Sequence, residues 1–155
     1  TAIDAKNLQV KNIWRLAPCE GPSGLAMDTG HRRLFVGCAN KIMAVVDADS
    51  GKVLATPAIG EGVDATRFDP GTGLAFASCG EGMLTIVKEE SRDRFTVVES
   101  VASRKGARTM ALDTKTHDVY SVTAKFGPPV PASAENPHAR RSIVPDTFVV
   151  LVFGR

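Results

Sequence analysis

The sequence predicts an all-β fold of repeated four-stranded antiparallel units, and two observations support this prediction. First, Asp28, Asp69 and Asp113 recur at spacings of 41 and 44 residues, each with a glycine seven residues before it and an aromatic residue seven after it. Second, the apolar residues alternate or form short β-branched runs between turn residues, and no segment shows a sustained helical period. Four strands every ~40–45 residues is the spacing of β-propeller blades. A β-sandwich is the rival architecture, but it does not require residue types to return at fixed offsets.

Each blade is predicted to contain strands a to d, with strand a innermost. Turn residues place the four strands of the first complete unit at 23–28, 34–39, 42–47 and 52–58, and those of the second at 65–69, 74–79, 83–89 and 95–101. The last unit has strands at 108–113, 119–124 and 147–153, and a lone strand d precedes the first unit at 8–16. This gives about three blades in a single partial propeller domain, with repeats at 1–19 (partial), 20–60, 61–104 and 105–155.

Composition and charge limit the classes of partner. The 155 residues are 43% hydrophobic and 23% charged, as in an ordinary soluble globular protein. The net charge of +2, with both signs interspersed, makes nucleic-acid binding an unfavoured reading. No apolar run approaches the ~20 residues that span a bilayer, and residues 1–10 lack the pattern of a signal peptide. We therefore expect no membrane partner.

The segment RLFVGCANKIMAVVDADSGKV resembles the YVTN-type repeat of lactonase-like and WD40-like bacterial β-propellers. Residues 35–38, 76–79 and 120–123 occupy the position of the YVTN motif, and the aromatic residue is the only one that all three copies keep. The D-x-x-x-G-K-V turn is closer to the family pattern. The resemblance implies a bacterial or archaeal protein, commonly periplasmic or extracellular, with a ring that is usually seven-bladed. It supplies no agreed set of catalytic residues.

Three blades cannot close a ring, since propellers typically have four to eight. We therefore expect a partner that completes the propeller. One candidate is the remainder of a longer propeller, from which an N-terminal strand would pair with residues 147–153. The other is a second copy of the chain, which would give a six-bladed ring with two-fold symmetry.

The d-to-a and b-to-c loops of a propeller share one face, here called the upper face, where ligands usually bind. The candidate ligand-face residues from these loops are Glu20, Glu61, Asp64, Arg108, Asn40, Lys41 and Glu81, with Cys19 and Lys105 beside them. The third b-to-c loop, residues 125–146, is about twenty residues longer than its counterparts and adds His138, Arg140 and Arg141. It is interpreted either as an arm that recognises an acidic group through Arg140 and Arg141, or as a solvated proline-rich excursion.

The sequence supports a metal or cofactor site less strongly than a ligand-binding face. Glu20 and Glu61 are repeat-equivalent, and carboxylates converging on the axis could hold a divalent cation in a lactonase-like hydrolase. In the third unit, however, Lys105 replaces the glutamate, and Arg108 could instead pair with Asp64. No catalytic residue, metal site or cofactor is therefore predicted.

The opposite, lower face carries the a-to-b turns. The repeated aspartates are expected to accept hydrogen bonds from turn amides, and His31 and His117 are expected to be solvated.

The leading functional interpretation is a non-enzymatic scaffold that binds a small ligand or protein partner on its loop-rich face. The alternatives are a metal-dependent lactonase or hydrolase-like propeller enzyme, or the propeller part of a redox enzyme. A bound divalent ion at the axial carboxylates would favour the hydrolase.

Two of the three cysteines lie at one blade period from each other. Cys38 and Cys79 are 41 residues apart, so they should occupy equivalent strand-b positions about 10 Å apart, beyond the ~7 Å that a disulfide tolerates. Both thiols are therefore predicted to be free and packed as small apolar side chains. The state of Cys19 stays open.

Overall fold

The computed structural model describes residues 1–131 and 141–154. Within them, 13 strands form four antiparallel sheets. In chain order the strands are β1 (Ala2–Asp4), β2 (Gln9–Asn12), β3 (Pro22–Asp28), β4 (Arg33–Cys38), β5 (Ile42–Asp47), β6 (Val53–Ala55), β7 (Val63–Asp69), β8 (Leu74–Cys79), β9 (Met83–Ser91), β10 (Arg94–Ala102), β11 (Met110–Leu112), β12 (Val119–Thr123) and β13 (Val149–Phe153). The all-β prediction is confirmed.

The sheets follow the blade pattern. Blade 1 contains β3 to β6 and blade 2 contains β7 to β10, each in sequential order, while the described part of blade 3 contains β11 to β13. The β1–β2 pair forms a separate two-stranded ribbon, here called the N-terminal ribbon. Strands β3, β7 and β11 are neighbours in space, which makes strand a the innermost strand of each blade.

Most strand limits shift from the sequence prediction by one or two residues, and three differences need an explanation. The twelve expected strands become 13 because Ala2–Asp4 also pairs, and the strand expected at 8–16 is only Gln9–Asn12. The strand expected at 52–58 shrinks to Val53–Ala55. Pro57 interrupts it because proline has no N–H to donate to a ladder, although its carbonyl still accepts from Met43 N at 2.9 Å.

Apolar layers lie between the blades. The layer between blades 1 and 2 includes Phe35, Met43, Val63 and Val87. A smaller layer between blades 2 and 3 is built around Phe76. This stacking of sheet faces explains why strands b and c read as nearly continuous apolar runs, since both of their faces are covered.

The repeated glycines have a conformational cause. Gly21, Gly62 and Gly106 adopt φ of 53°, 70° and 83°, the left-handed region that side chains rarely occupy. Each lies in the d-to-a loop just before an innermost strand. The constant offset of seven residues between the glycine and the aspartate therefore reflects a turn that is repeated before the innermost strand of each blade.

Asp28 and Asp69 end strand a as predicted, and Asp113 directly follows it. Asp28 accepts hydrogen bonds from Gly30 N and His31 N at 2.9 and 3.0 Å, and Asp69 accepts from Gly71 N at 3.0 Å. Lys115 N donates to Asp113 at 2.8 Å. The turn-capping prediction is confirmed in all three repeats.

The cysteine prediction is only half right. Cys79 is free and buried, and burial raises the pKa of its thiol to about 11. Cys38, however, is bonded to Cys19, with their Cα atoms 5.5 Å apart. The prediction that Cys38 is free is wrong because the d-to-a loop folds against the end of strand b, where Glu20 O accepts from Ala39 N at 2.8 Å.

The described part of the chain includes no helix long and apolar enough to cross a membrane.

Candidate functional site

A cleft of about 1210 Å³ opens on the upper face between blades 2 and 3. Its walls come from the d-to-a and b-to-c loops of these blades and from the base of the long loop after β12. The charged residues that line it are Glu61, Glu81, Lys105, Arg108, Lys125 and Arg141. Its apolar floor and rim include Val122, Phe126, Ile143 and Phe148.

Backbone hydrogen bonds fix the loop that presents Lys105 and Arg108. Gly106 N donates to Gly80 O at 2.9 Å, and Thr123 Oγ1 donates to Lys105 O at 3.1 Å. The carbonyl of Arg108 accepts from the hydroxyl of Ser78. The loop is thus tied to strand b on both sides, while the two cationic side chains project into solvent.

The base of the long loop is a short two-stranded ribbon. Phe126 and Ile143 form an antiparallel bridge, Gly127 N donates to Ser142 O at 2.8 Å, and Val144 N donates to Lys125 O at 2.9 Å. This pairing brings Arg141 to the cleft. His138 and Arg140, the other predicted residues of this loop, lie outside the described residues.

Positive charge dominates the cleft. Of its two carboxylates, Glu61 is paired with Lys41 at 2.9 Å, and this contact holds the pKa of Glu61 below its usual range. The four cations lining the cleft differ from Lys41 in this respect. Within residues 1–131 and 141–154, none of the four forms an ion pair with a carboxylate: Lys105, Arg108, Lys125 and Arg141.

Two predicted ligand residues instead hold the loops together. Asn40 Oδ1 accepts from Glu20 N at 3.1 Å, and Asn40 Nδ2 donates to Pro18 O at 2.8 Å. In blade 2 the equivalent residue, Glu81, accepts from Glu61 N through Oε1 at 2.9 Å. The two positions therefore perform the same backbone-capping task in adjacent blades.

The axial carboxylates are not gathered into a ring. In the described chain, Glu20, Glu61 and Asp64 do not come within metal-ligand distance of one another. The proposed Asp64–Arg108 ion pair is also absent from these residues. Arg108 extends over the backbone of Gly80, where a Cβ on that glycine would meet Arg108 Cδ at 3.1 Å.

Sequence reasoning missed Lys125, Phe126, Ile143 and Phe148 as cleft residues. Residues 125–146 were interpreted as a single unpaired loop, so the pairing between the two ends of this loop was not predicted. The available signal was the recurrence of aromatic and branched apolar residues at both ends of a segment otherwise rich in proline.

The chain matches no protein-family model, and it matches no curated protein. The YVTN-type resemblance is therefore not confirmed.

Solved structures show the fold. Hydrazine synthase from Kuenenia stuttgartiensis superposes with a TM-score of 0.70 at 17% identity, over 81% of this chain and 36% of that one. Sqt1 from Saccharomyces cerevisiae gives 0.59 at 8% identity, over 86% and 38%. The β-propeller domain of Cps50 (Swd1) from Myceliophteria thermophila gives 0.52 at 12% identity, over 91% and 63%. The chain thus spans between about a third and two thirds of these proteins, and it has the fold of a β-propeller segment.

Proposed function

We propose that this chain is a binding scaffold, and that the upper-face cleft between blades 2 and 3 receives an acidic segment of a protein partner. The observation that supports this proposal is that four cations without a carboxylate partner among the described residues line the cleft, while Glu61, one of its two carboxylates, is paired with Lys41. Such a surface attracts anionic groups and accelerates their association.

The volume and lining of the cleft favour a peptide segment over a small molecule as its ligand. A volume of about 1210 Å³ exceeds the roughly 300–1,000 Å³ of pockets for small molecules. The apolar rim of Phe126, Ile143 and Phe148 offers contacts to carbon atoms between the acidic groups. Phe126 and Phe148 are 52% and 61% exposed, so this rim is available to a partner.

Charge reversal in the cleft tests the proposal. A fluorescein-labelled hexaglutamate peptide is expected to bind, and Lys105→Glu and Arg108→Glu are each expected to weaken it about tenfold, which corresponds to ~1.4 kcal/mol. Fluorescence anisotropy at fixed ionic strength measures this effect. Lys115→Glu is the matched control, because Lys115 is equally exposed but lies in a lower-face turn.

Equal weakening by Lys115→Glu would mean that only net charge matters, and the cleft would then be discarded as the site. Tighter binding of a six-nucleotide oligothymidylate than of the peptide would point to nucleic acid instead.

The enzymatic alternatives gain no specific support from the described residues. The carboxylates expected to form a hydrolase metal ring are separated, and Glu61 is engaged by Lys41. The likeness to hydrazine synthase, at 17% identity, concerns the fold alone.

The scaffold also has an incomplete sheet. Blade 3 has three strands where blades 1 and 2 have four, and on its outermost strand β13 the side chains of Val150 and Val152 are 57% and 58% exposed. An exposed apolar edge strand of this kind pairs readily with another strand. We propose that a further strand, from a longer chain or from a second copy, completes this blade.

This proposal predicts self-association of the 16.4 kDa chain when it is studied alone. Light scattering should give a mass above that of the monomer, and the double variant Val150→Lys with Val152→Lys should shift it to the monomer. Val98→Lys is the control, since Val98 is 53% exposed on β10 of the complete blade 2. A monodisperse monomer of the unmodified chain would contradict completion by a second copy and would leave a strand of a longer chain as the partner.

A further inference from the structure

Three potential metal ligands from two blades meet on the lower face, on the opposite side of the blades from the cleft. Asp28 ends β3, His31 lies in the turn that follows, and Glu89 belongs to β9 of the neighbouring blade. His31 Nδ1 is 2.9 Å from Asp28 Oδ2 and 3.1 Å from Glu89 Oε1. One ligand atom of each residue lies within 4.8 Å of the others.

Glu89 has a buried carboxylate without a hydrogen-bond partner. Its side chain is 2% exposed; Oε1 lies 3.1 Å from His31 Nδ1, and neither oxygen accepts a hydrogen bond within the described residues. Burial and the negative charge of Asp28 raise the pKa of Glu89. Buried carboxylates are almost always satisfied, but the single His31 Nδ1 is shared between Asp28 and Glu89, so this carboxylate has room for a further positive partner.

The donor set suits a borderline divalent metal. One imidazole nitrogen and two carboxylate oxygens are typical Zn²⁺ ligands, and tetrahedral bonds of about 2.0–2.1 Å place ligand atoms roughly 3.3 Å apart. The observed distances of 2.9 and 3.1 Å need only a small expansion to reach this value. His31 is 57% exposed, so a fourth position faces solvent.

The turn also orients its ligands. Asp28 Oδ1 accepts from Gly30 N at 2.9 Å and Oδ2 accepts from His31 N at 3.0 Å, and these two bonds hold Oδ2 at 2.9 Å from His31 Nδ1. Outer hydrogen bonds of this kind fix ligand geometry in metal sites.

The described interface between blades 2 and 3 has an equivalent Asp–His pair but no third residue that corresponds to Glu89. His117 Nδ1 lies 2.7 Å from Asp69 Oδ2, and Asp69 also accepts from Thr72 Oγ1 at 2.7 Å and Gly71 N at 3.0 Å. Here the carboxylate is fully satisfied by protein donors. Both histidines are partly exposed, in line with the expectation that they are solvated, but each also contacts a buried aspartate.

We propose that Asp28, His31 and Glu89 form a site for a divalent transition metal of the Zn²⁺ type, which joins blades 1 and 2 at the lower face. This is independent of the cleft and of the partner proposed for it.

Calorimetric titration of Zn²⁺ into chelator-treated protein tests the site. One ion should bind per chain, and Glu89→Gln and His31→Ala should each weaken binding at least tenfold, while His117→Ala should leave it unchanged. Bound Co²⁺ should show the intense visible absorption of four-coordinate geometry, and Glu89→Gln should abolish it. Circular dichroism verifies folding, and Glu89→Gln is nearly isosteric.

Three results would overturn the proposal: no Zn²⁺ binding by the unmodified protein, equal affinity in the Glu89→Gln and His31→Ala variants, or loss of binding with His117→Ala. Tighter binding of Ca²⁺ than of Zn²⁺ would refute the metal class.

Discussion

Replacing Phe35 with alanine is expected to lower the free energy of unfolding by about 4 kcal/mol, the range for a large aromatic removed from a closed core. Phe35 is fully buried, stacks on Phe68 of blade 2 with ring centroids 5.0 Å apart, and meets the edge of Phe95 at 6.0 Å. The substitution thus removes the aromatic contact between blades as well as the volume. Urea unfolding followed by circular dichroism measures the loss.

Tyr120 provides the matched control because it occupies the same repeat position in blade 3, where it is only half-buried. Tyr120→Ala should lower the free energy of unfolding by roughly 1 kcal/mol. If the two substitutions cost the same, the aromatic position would not be stabilising the contact between blades 1 and 2.

Reducing the Cys19–Cys38 disulfide is expected to cost about 3 kcal/mol of unfolding free energy. The bond closes a loop with a sequence separation of 19 residues, and constraint of the unfolded chain by a loop of this size gives that magnitude. Urea unfolding with and without reductant should show a lower midpoint in the reduced protein.

The control is the double variant Cys19→Ser with Cys38→Ala, whose unfolding should not respond to reductant. Thiol titration of the denatured, unreduced protein should find the single free thiol of Cys79. Three free thiols and an unchanged midpoint on reduction would show that the bond does not form.

The strands of blades 1 and 2 could be predicted because local chemistry sets their limits. Ile42–Asp47 and Leu74–Cys79 lie where the sequence placed them, each bounded by turn residues and buried on both faces. Val53–Ala55 was overestimated because burial is partial there and Pro57 removes a donor. Periodicity therefore works best where the neighbouring blade covers the strand.

The disulfide and the cleft depend on contacts that the repeat does not encode. Cys19 has no cysteine at the equivalent position of the later repeats, so the comparison of Cys38 with Cys79 could not reveal its partner. Likewise, the pairing of Glu61 with Lys41 crosses from one blade to the next. Side-chain partners of exposed, flexible residues are set by three-dimensional proximity rather than by sequence offset.

The covalent link between Cys19 and Cys38 also defines how the fold would bear mechanical load. A pulling force on residue 1 would travel along the backbone to Cys19, cross the sulfur atoms, and enter the sheet at the end of β4. Residues 20–37, which include the innermost strand β3, lie outside this covalent path and would be loaded only through the hydrogen bonds between β3 and β4. The disulfide thus keeps a force applied to the segment before it from peeling β3 off the blade through the backbone.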